Sequence, residues 1–100
     1  MYIVVRQYSD ANDLFDILAQ NEQSVRDIIG SVPGLVSYSL VRTDTGGFSV
    51  TACEDKEGTD ESLRRASAWI AENAPGVTGA TPTITEGEAM VTLTGEAAPA

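Results

Sequence analysis

Residues 35–53 read Leu35-Val36-Ser37-Tyr38-Ser39-Leu40-Val41-Arg42-Thr43-Asp44-Thr45-Gly46-Gly47-Phe48-Ser49-Val50-Thr51-Ala52-Cys53. Val36, Tyr38 and Leu40 alternate with Leu35, Ser37, Ser39 and Val41, which is the period-two pattern of a strand. A second β-branched and aromatic run from Phe48 to Cys53 follows a Thr-Asp-Thr-Gly-Gly stretch, so the two are expected to form a hairpin joined by a glycine turn.

Working outward, Tyr2 to Tyr8 is a strand with Ile3 and Val5 on one side and Tyr2, Val4 and Tyr8 on the other. Ser9-Asp10 offers capping side chains, so a helix is expected from about Ala11. On a wheel of 100° per residue, Leu14, Leu18, Val25, Ile28, Ile29 and Val32 form one apolar stripe, while Asp16, Gln23 and Asp27 lie opposite. Gly30 and Pro33-Gly34 end that helix. Beyond the hairpin, Gly58, Thr59 and Asp60 open a second helix whose Leu63, Ala66, Ser67, Ile70 and Ala74 share an arc of mostly small side chains. Pro75-Gly76 stops it. Val77 to Pro82 is a connector, and Thr83 to Thr94 is a broken strand with a bulge or bend at Glu86-Gly87-Glu88.

The order β-α-β-β-α-β predicts an α+β, ferredoxin-like βαββαβ domain over residues 1–94. It has a four-stranded antiparallel sheet with two helices on one face, followed by a frayed tail at 95–100.

The composition narrows the function. One hundred residues make one domain, and 15 acids against 6 bases give a net charge of -9, which disfavours nucleic acid and anionic membrane surfaces as partners. The chain has no histidine, which removes His-dependent triads and His-ligated metal or haem. No cofactor and no metal is expected. Met1-Tyr2-Ile3-Val4-Val5-Arg6 lacks the features of a signal peptide, and Cys53 is the only cysteine, so a cytoplasmic location is expected.

Two helices shelter one face of the sheet, yet the strands carry apolar groups on alternate sides. The uncovered set exceeds what a monomer usually exposes, so a homodimer with its sheets face to face is expected. Burying ~500 Å² of apolar surface per subunit contributes on the order of 12 kcal/mol, against association costs of ~4 to 15. Ser37, Ser39, Ser49 and Thr51 dilute one face, so a pocket enclosed between the two sheets is expected rather than a dry seam.

Pro33-Gly34 leading into Leu35 to Arg42, then Phe48-Ser49-Val50-Thr51 and Glu54-Asp55-Lys56-Glu57-Gly58, resembles the central hairpin of antibiotic-biosynthesis-monooxygenase-like proteins of the dimeric α+β barrel superfamily. The resemblance runs from about Tyr2 to Leu93. It implies a barrel dimer, and its members include cofactor-independent oxygenases of aromatic substrates and haem-degrading enzymes. No histidine stands here for the axial ligand of the haem-degrading branch, and strand one ends Arg6-Gln7 where that branch carries an asparagine. Cys53-Glu54-Asp55-Lys56, Trp69-Ile70-Ala71-Glu72-Asn73 and Thr85-Glu86-Gly87-Glu88 look like an uncharacterised branch.

Three residues are candidates for binding a small aromatic ligand, each with a plainer alternative. Trp69, about 60° from Ala66 on the helix wheel, either lines a pocket and stacks on a planar ligand or packs between helices or at the subunit seam. Tyr38 and Arg42 either orient an anionic or phenolic ligand together, or form a core tyrosine and a salt-bridged rim arginine. The acids around Lys56 do not have calcium-loop spacing and read as a solvated turn. Cys53 reads as a small buried hydrophobe. The leading functional reading is a homodimer of unassigned role with a small-molecule pocket. A cofactor-independent monooxygenase and a ligand-sensing or interaction module are the alternatives, and an oxygenase requires an enclosed cavity of at least ~300 Å³.

Overall fold

The computed structural model describes residues 1–77 and 81–95. β1 (Tyr2–Ser9) pairs antiparallel with both β3 (Gly46–Cys53) and β4 (Thr83–Glu88), and β2 (Leu35–Thr43) pairs antiparallel with β3. The resulting open sheet has the order β2-β3-β1-β4, in which the consecutive β1 and β2 are separated by β3. This is the ferredoxin-like arrangement expected from the element order.

The first helix is broken in two. α1 (Asn12–Gln20) and α2 (Glu22–Gly30) meet at Asn21, whose Nδ2 donates to the Ile17 carbonyl at 2.8 Å. An asparagine side chain that hydrogen-bonds a nearby carbonyl competes with the helix ladder. The apolar stripe survives the break: Leu14, Phe15, Leu18 and Ile29 are buried, with Val25 and Ile28 half-buried. α3 (Lys56–Asn73) starts two residues ahead of Gly58, because the Asp55 carboxylate accepts the Gly58 N–H at 3.1 Å and caps the helix there. Its buried face is Gly58, Thr59, Ser62 and Trp69, while Ser67 of the expected arc is exposed.

The hairpin turn is Asp44-Thr45, and Gly46-Gly47 belong to β3 rather than to the turn. Val36 sits in a β-bulge between Leu35 and Ser37, so it leaves the alternation expected for it. β4 ends at Glu88, short of the expected Thr94. Residues 89–95 have no regular structure, and Met90, Val91 and Leu93 are exposed. Within the expected connector and tail, residues 78–80 and 96–100 lie outside the described residues.

The register puts Val4, Arg6 and Tyr8 of β1 opposite Thr51, Ser49 and Gly47 of β3, and Tyr38, Leu40 and Arg42 of β2 opposite the same three. This is the face on which the helices lie. α1 touches down at Gly47, where a Cβ would run into the Phe15 ring. α3 touches down at Gly58, where a Cβ would lie 2.7 Å from Cys53 Cβ and 3.1 Å from the Pro33 carbonyl oxygen. Ile3, Val5, Phe48 and Val50 point to the opposite face, which no helix covers among the described residues.

Gly58→Ala is expected to destabilise the fold by about 1–3 kcal/mol, because the methyl group overpacks against backbone and the base of a buried side chain. Gly30→Ala, with nothing within 4 Å of its Cβ, is expected to be neutral or stabilising by up to about 1 kcal/mol. Thermal unfolding of the two variants distinguishes them by the sign of the shift in Tm.

Candidate functional site

Between the two points of close contact, sheet and helices do not close on each other. The gap holds an inner cavity of about 40 Å³ floored by Arg6 and Ser49 of the sheet and roofed by Ala66, Trp69 and Ile70 of α3. It continues into an open groove of about 420 Å³ between β2 and the α1–α2 break, lined by Phe15, Ala19, Glu22, Arg26 and Arg42. Leu18, Val25, Tyr38 and Leu40 belong to the walls of both, so Tyr38 stands where the cavity meets the groove.

The cleft therefore lies inside one chain, between sheet and helices. It is distinct from the pocket expected between the sheets of two copies: of the four diluting residues, Ser49 and Thr51 alternate onto the helix face together with Arg6, whereas Ser37 and Ser39 fall on the far face with Phe48 and Val50.

Arg6 occupies the centre of the helix-facing side of the sheet at 5% exposure. Its Nη2 donates to Ser67 Oγ at 3.4 Å, and its guanidinium carbon lies 5.5 Å from the centroid of the Tyr8 ring. Nε and Nη1 are buried without a hydrogen-bond partner among the described residues. Nearly all buried polar groups are hydrogen-bonded, so a guanidinium in this state is exceptional. Arg6 was missed as a site residue by sequence reasoning. Its signal is nevertheless present: by strict alternation it falls between Val4 and Tyr8 on the apolar side of β1, where a cation is out of place.

The tyrosines beside it stay neutral. Burial pushes the Tyr38 phenol above its ordinary value of 10.0, outweighing the Arg6 charge that lowers it, and Tyr8 is raised by burial in the same way. Neither supplies the negative charge that Arg6 lacks. The Cys53 thiol is also raised, first by burial and then by the Asp55 carboxylate, and it is fully buried away from the cleft. A thiol in that state is a poor nucleophile.

Each expected site residue reaches this cleft. Trp69 is 5% exposed, packs between α2 and α3 with its indole N–H donating to Ser24 Oγ at 2.9 Å, and also walls the inner cavity. Tyr38 separates the cavity from the groove. Arg42 lies at the outer rim, ion-paired with Asp16 at 2.7 Å and donating to the Asn12 carbonyl at 3.3 Å, with both ionic side chains about half exposed. Exposed pairs of this kind contribute under about 1 kcal/mol. The acids of the strand-to-helix turn have local partners: Asp55 caps α3, Asp60 holds Lys56, and Glu61 holds Arg64 and Arg65.

No family model and no curated protein matches the chain. Solved structures do. The chain is similar to a Nitrosomonas europaea protein of unknown function at 19% identity and a TM-score of 0.67, with 94% of this chain and 92% of that one covered. It is similar to the haem degrader MhuD of Mycobacterium tuberculosis with two haems bound in its active site, at 15% identity and 0.67, covering 94% and 100%. The cofactor-independent oxygenase SnoaB of Streptomyces nogalater follows at 16% and 0.62, covering 92% and 95%. The chain thus shares its ferredoxin-type α+β fold with these solved structures.

The cleft does not suit the haem carried by one of these neighbours. The chain has no histidine, the Tyr38 phenol is held protonated, and the inner cavity is about 40 Å³. A protonated phenol is a poor ligand for iron.

The raised tyrosine values set a pH dependence. A phenol whose folded value lies above its unfolded one adds stability that is complete below pH 10.0 and is lost as pH rises through the folded value. The urea midpoint of the wild type is expected to fall more steeply than that of Tyr38→Phe between about pH 9 and about pH 12. Parallel curves would show that burial of the Tyr38 hydroxyl contributes nothing.

Proposed function

We propose that the protein is a cytoplasmic homodimer that binds a small organic molecule in the cleft between its sheet and its helices. The observation that carries this reading is the convergence of Tyr38, Arg42 and Trp69, from β2 and α3, on one continuous cleft. The walls are mostly aromatic and aliphatic with few polar groups, the usual character of a ligand site.

The homodimer is supported by the far face of the sheet, where Ile3, Val5, Phe48 and Val50 form an apolar surface that no helix covers among the described residues, and by the exposed Met90, Val91 and Leu93 beyond β4. The cytoplasmic location is supported by the lone, unpaired Cys53. Among the described residues no helix is long and apolar enough to cross a membrane.

Native mass spectrometry of protein purified from its own host is expected to find a species of twice the chain's 10.5 kDa carrying a small molecule. A lone chain at micromolar concentration overturns the homodimer. A ligand at a hundred times its dissociation constant is expected to add about 2.7 kcal/mol of stability, and Tyr38→Ala to weaken that effect.

A cofactor-independent monooxygenase is the second reading, favoured by the likeness to SnoaB. The inner cavity falls short of the ~300 Å³ an aromatic substrate needs, so under this reading the substrate occupies the adjoining groove. Under this reading, oxygen consumption on that substrate is expected to drop by at least about tenfold in Tyr38→Phe and Arg42→Ala. Turnover unchanged in both variants removes the assignment, and ligand-dependent stabilisation without turnover leaves a sensor.

A further inference from the structure

We infer that the inner cavity receives the carboxylate head of an organic monoanion, held by Arg6, while the apolar body of the ligand lies outward past Tyr38 in the groove at the α1–α2 break. This rests on the reading of the cleft as a ligand site and adds to it the charge and the orientation of the ligand.

Charge is the first argument. Of the six cationic side chains, Arg26, Arg42, Lys56, Arg64 and Arg65 each pair with a carboxylate of the chain. Arg6 has no such partner among the described residues, although it is the most deeply buried of them and the chain carries an excess of acids. The Tyr8 ring face attracts the guanidinium without neutralising it. A buried cation without a counter-charge is unfavourable, and the complement that relieves it is an anion.

Size and shape supply the rest. A cavity of about 40 Å³ takes a head group but not a ring, whereas the adjoining groove of about 420 Å³ takes a ring or chain. The guanidinium is a planar fork that matches the planar carboxylate. A single Arg in walls of Leu18, Val25, Ile28 and Trp69 suits a monoanion with an apolar body, since the second charge of a phosphate dianion would need a second cation, and the cavity walls carry only Arg6 beside the hydroxyls of Tyr8, Tyr38 and Ser49. The rim cations do not compete for the head group: Arg26 is engaged by Glu22 and Arg42 by Asp16.

Trp69 is the only tryptophan and walls the cavity, so its fluorescence reads occupancy directly. Titration at neutral pH with 3-phenylpropanoate and with its neutral isostere 3-phenylpropanamide is expected to show the carboxylate binding at least about tenfold more tightly. Arg6→Met is expected to bring the two affinities within about twofold, and Arg6→Lys to keep an intermediate preference, because it retains the charge without the fork. Equal binding of both compounds by the wild type, or a preference that persists in Arg6→Met, overturns the anion site and leaves the cleft reading in place. A Trp69 signal that responds to neither compound overturns both. The wild-type ratio decides the matter even where Arg6→Met fails to fold.

Discussion

Phe15 rests on Gly47 at one end of β3, and the first turn of α3 rests against Cys53 at the other, and at both places the missing Cβ is what permits contact. Between these points the sheet presents Arg6 and Ser49. Neither can be covered tightly by an aliphatic helix face, because a charged or hydroxylic group pressed into hydrocarbon loses its hydration without replacement. Two tight contacts flanking a polar centre leave a gap there. The helices are thereby held on the sheet and kept off its middle, and the cleft follows from that spacing.

The break at Asn21 turns the gap into a cleft with a mouth. An unbroken helix from Asn12 to Gly30 would present one continuous ridge to β2. With Asn21 satisfying the Ile17 carbonyl, the helix is interrupted, and Ala19, Glu22, Val25 and Arg26 from either side of the break line the opening. The two faces of the sheet consequently differ in kind. One carries a buried cation and hydroxyls under the helices, and the other carries branched and aromatic hydrocarbon beside Ser37 and Ser39, with no helix over it among the described residues.

Charge is distributed just as unevenly. Most cations are tied to carboxylates three or four residues away on their own helix, as in Arg26 with Glu22 and Arg64 with Glu61. Such pairs lie in high dielectric and contribute little to stability. Arg6 lies in low dielectric, where the same unit charge governs what can sit beside it.

The sequence by itself determined the order of the elements, the hairpin and the amphipathic stripe from Leu14 to Ile29, because these are local periodicities of two and 3.6 residues. It also singled out Tyr38, Arg42 and Trp69, and the plainer alternatives it offered for two of them are the contacts seen: Trp69 packed between helices and Arg42 ion-paired at the rim. It could not determine which sheet face meets the helices, since β1, β2 and β3 carry apolar groups at both parities. That choice belongs to the fit of whole surfaces: Gly47 and Gly58 admit Phe15 and α3 on one side only. The bulge at Val36 and the lack of a counter-charge beside Arg6 were decided at the same level, since each depends on which distant group is available as a partner. The break at Asn21 is made locally, by its side chain on the Ile17 carbonyl, and a helical stripe that runs unbroken through it does not record it.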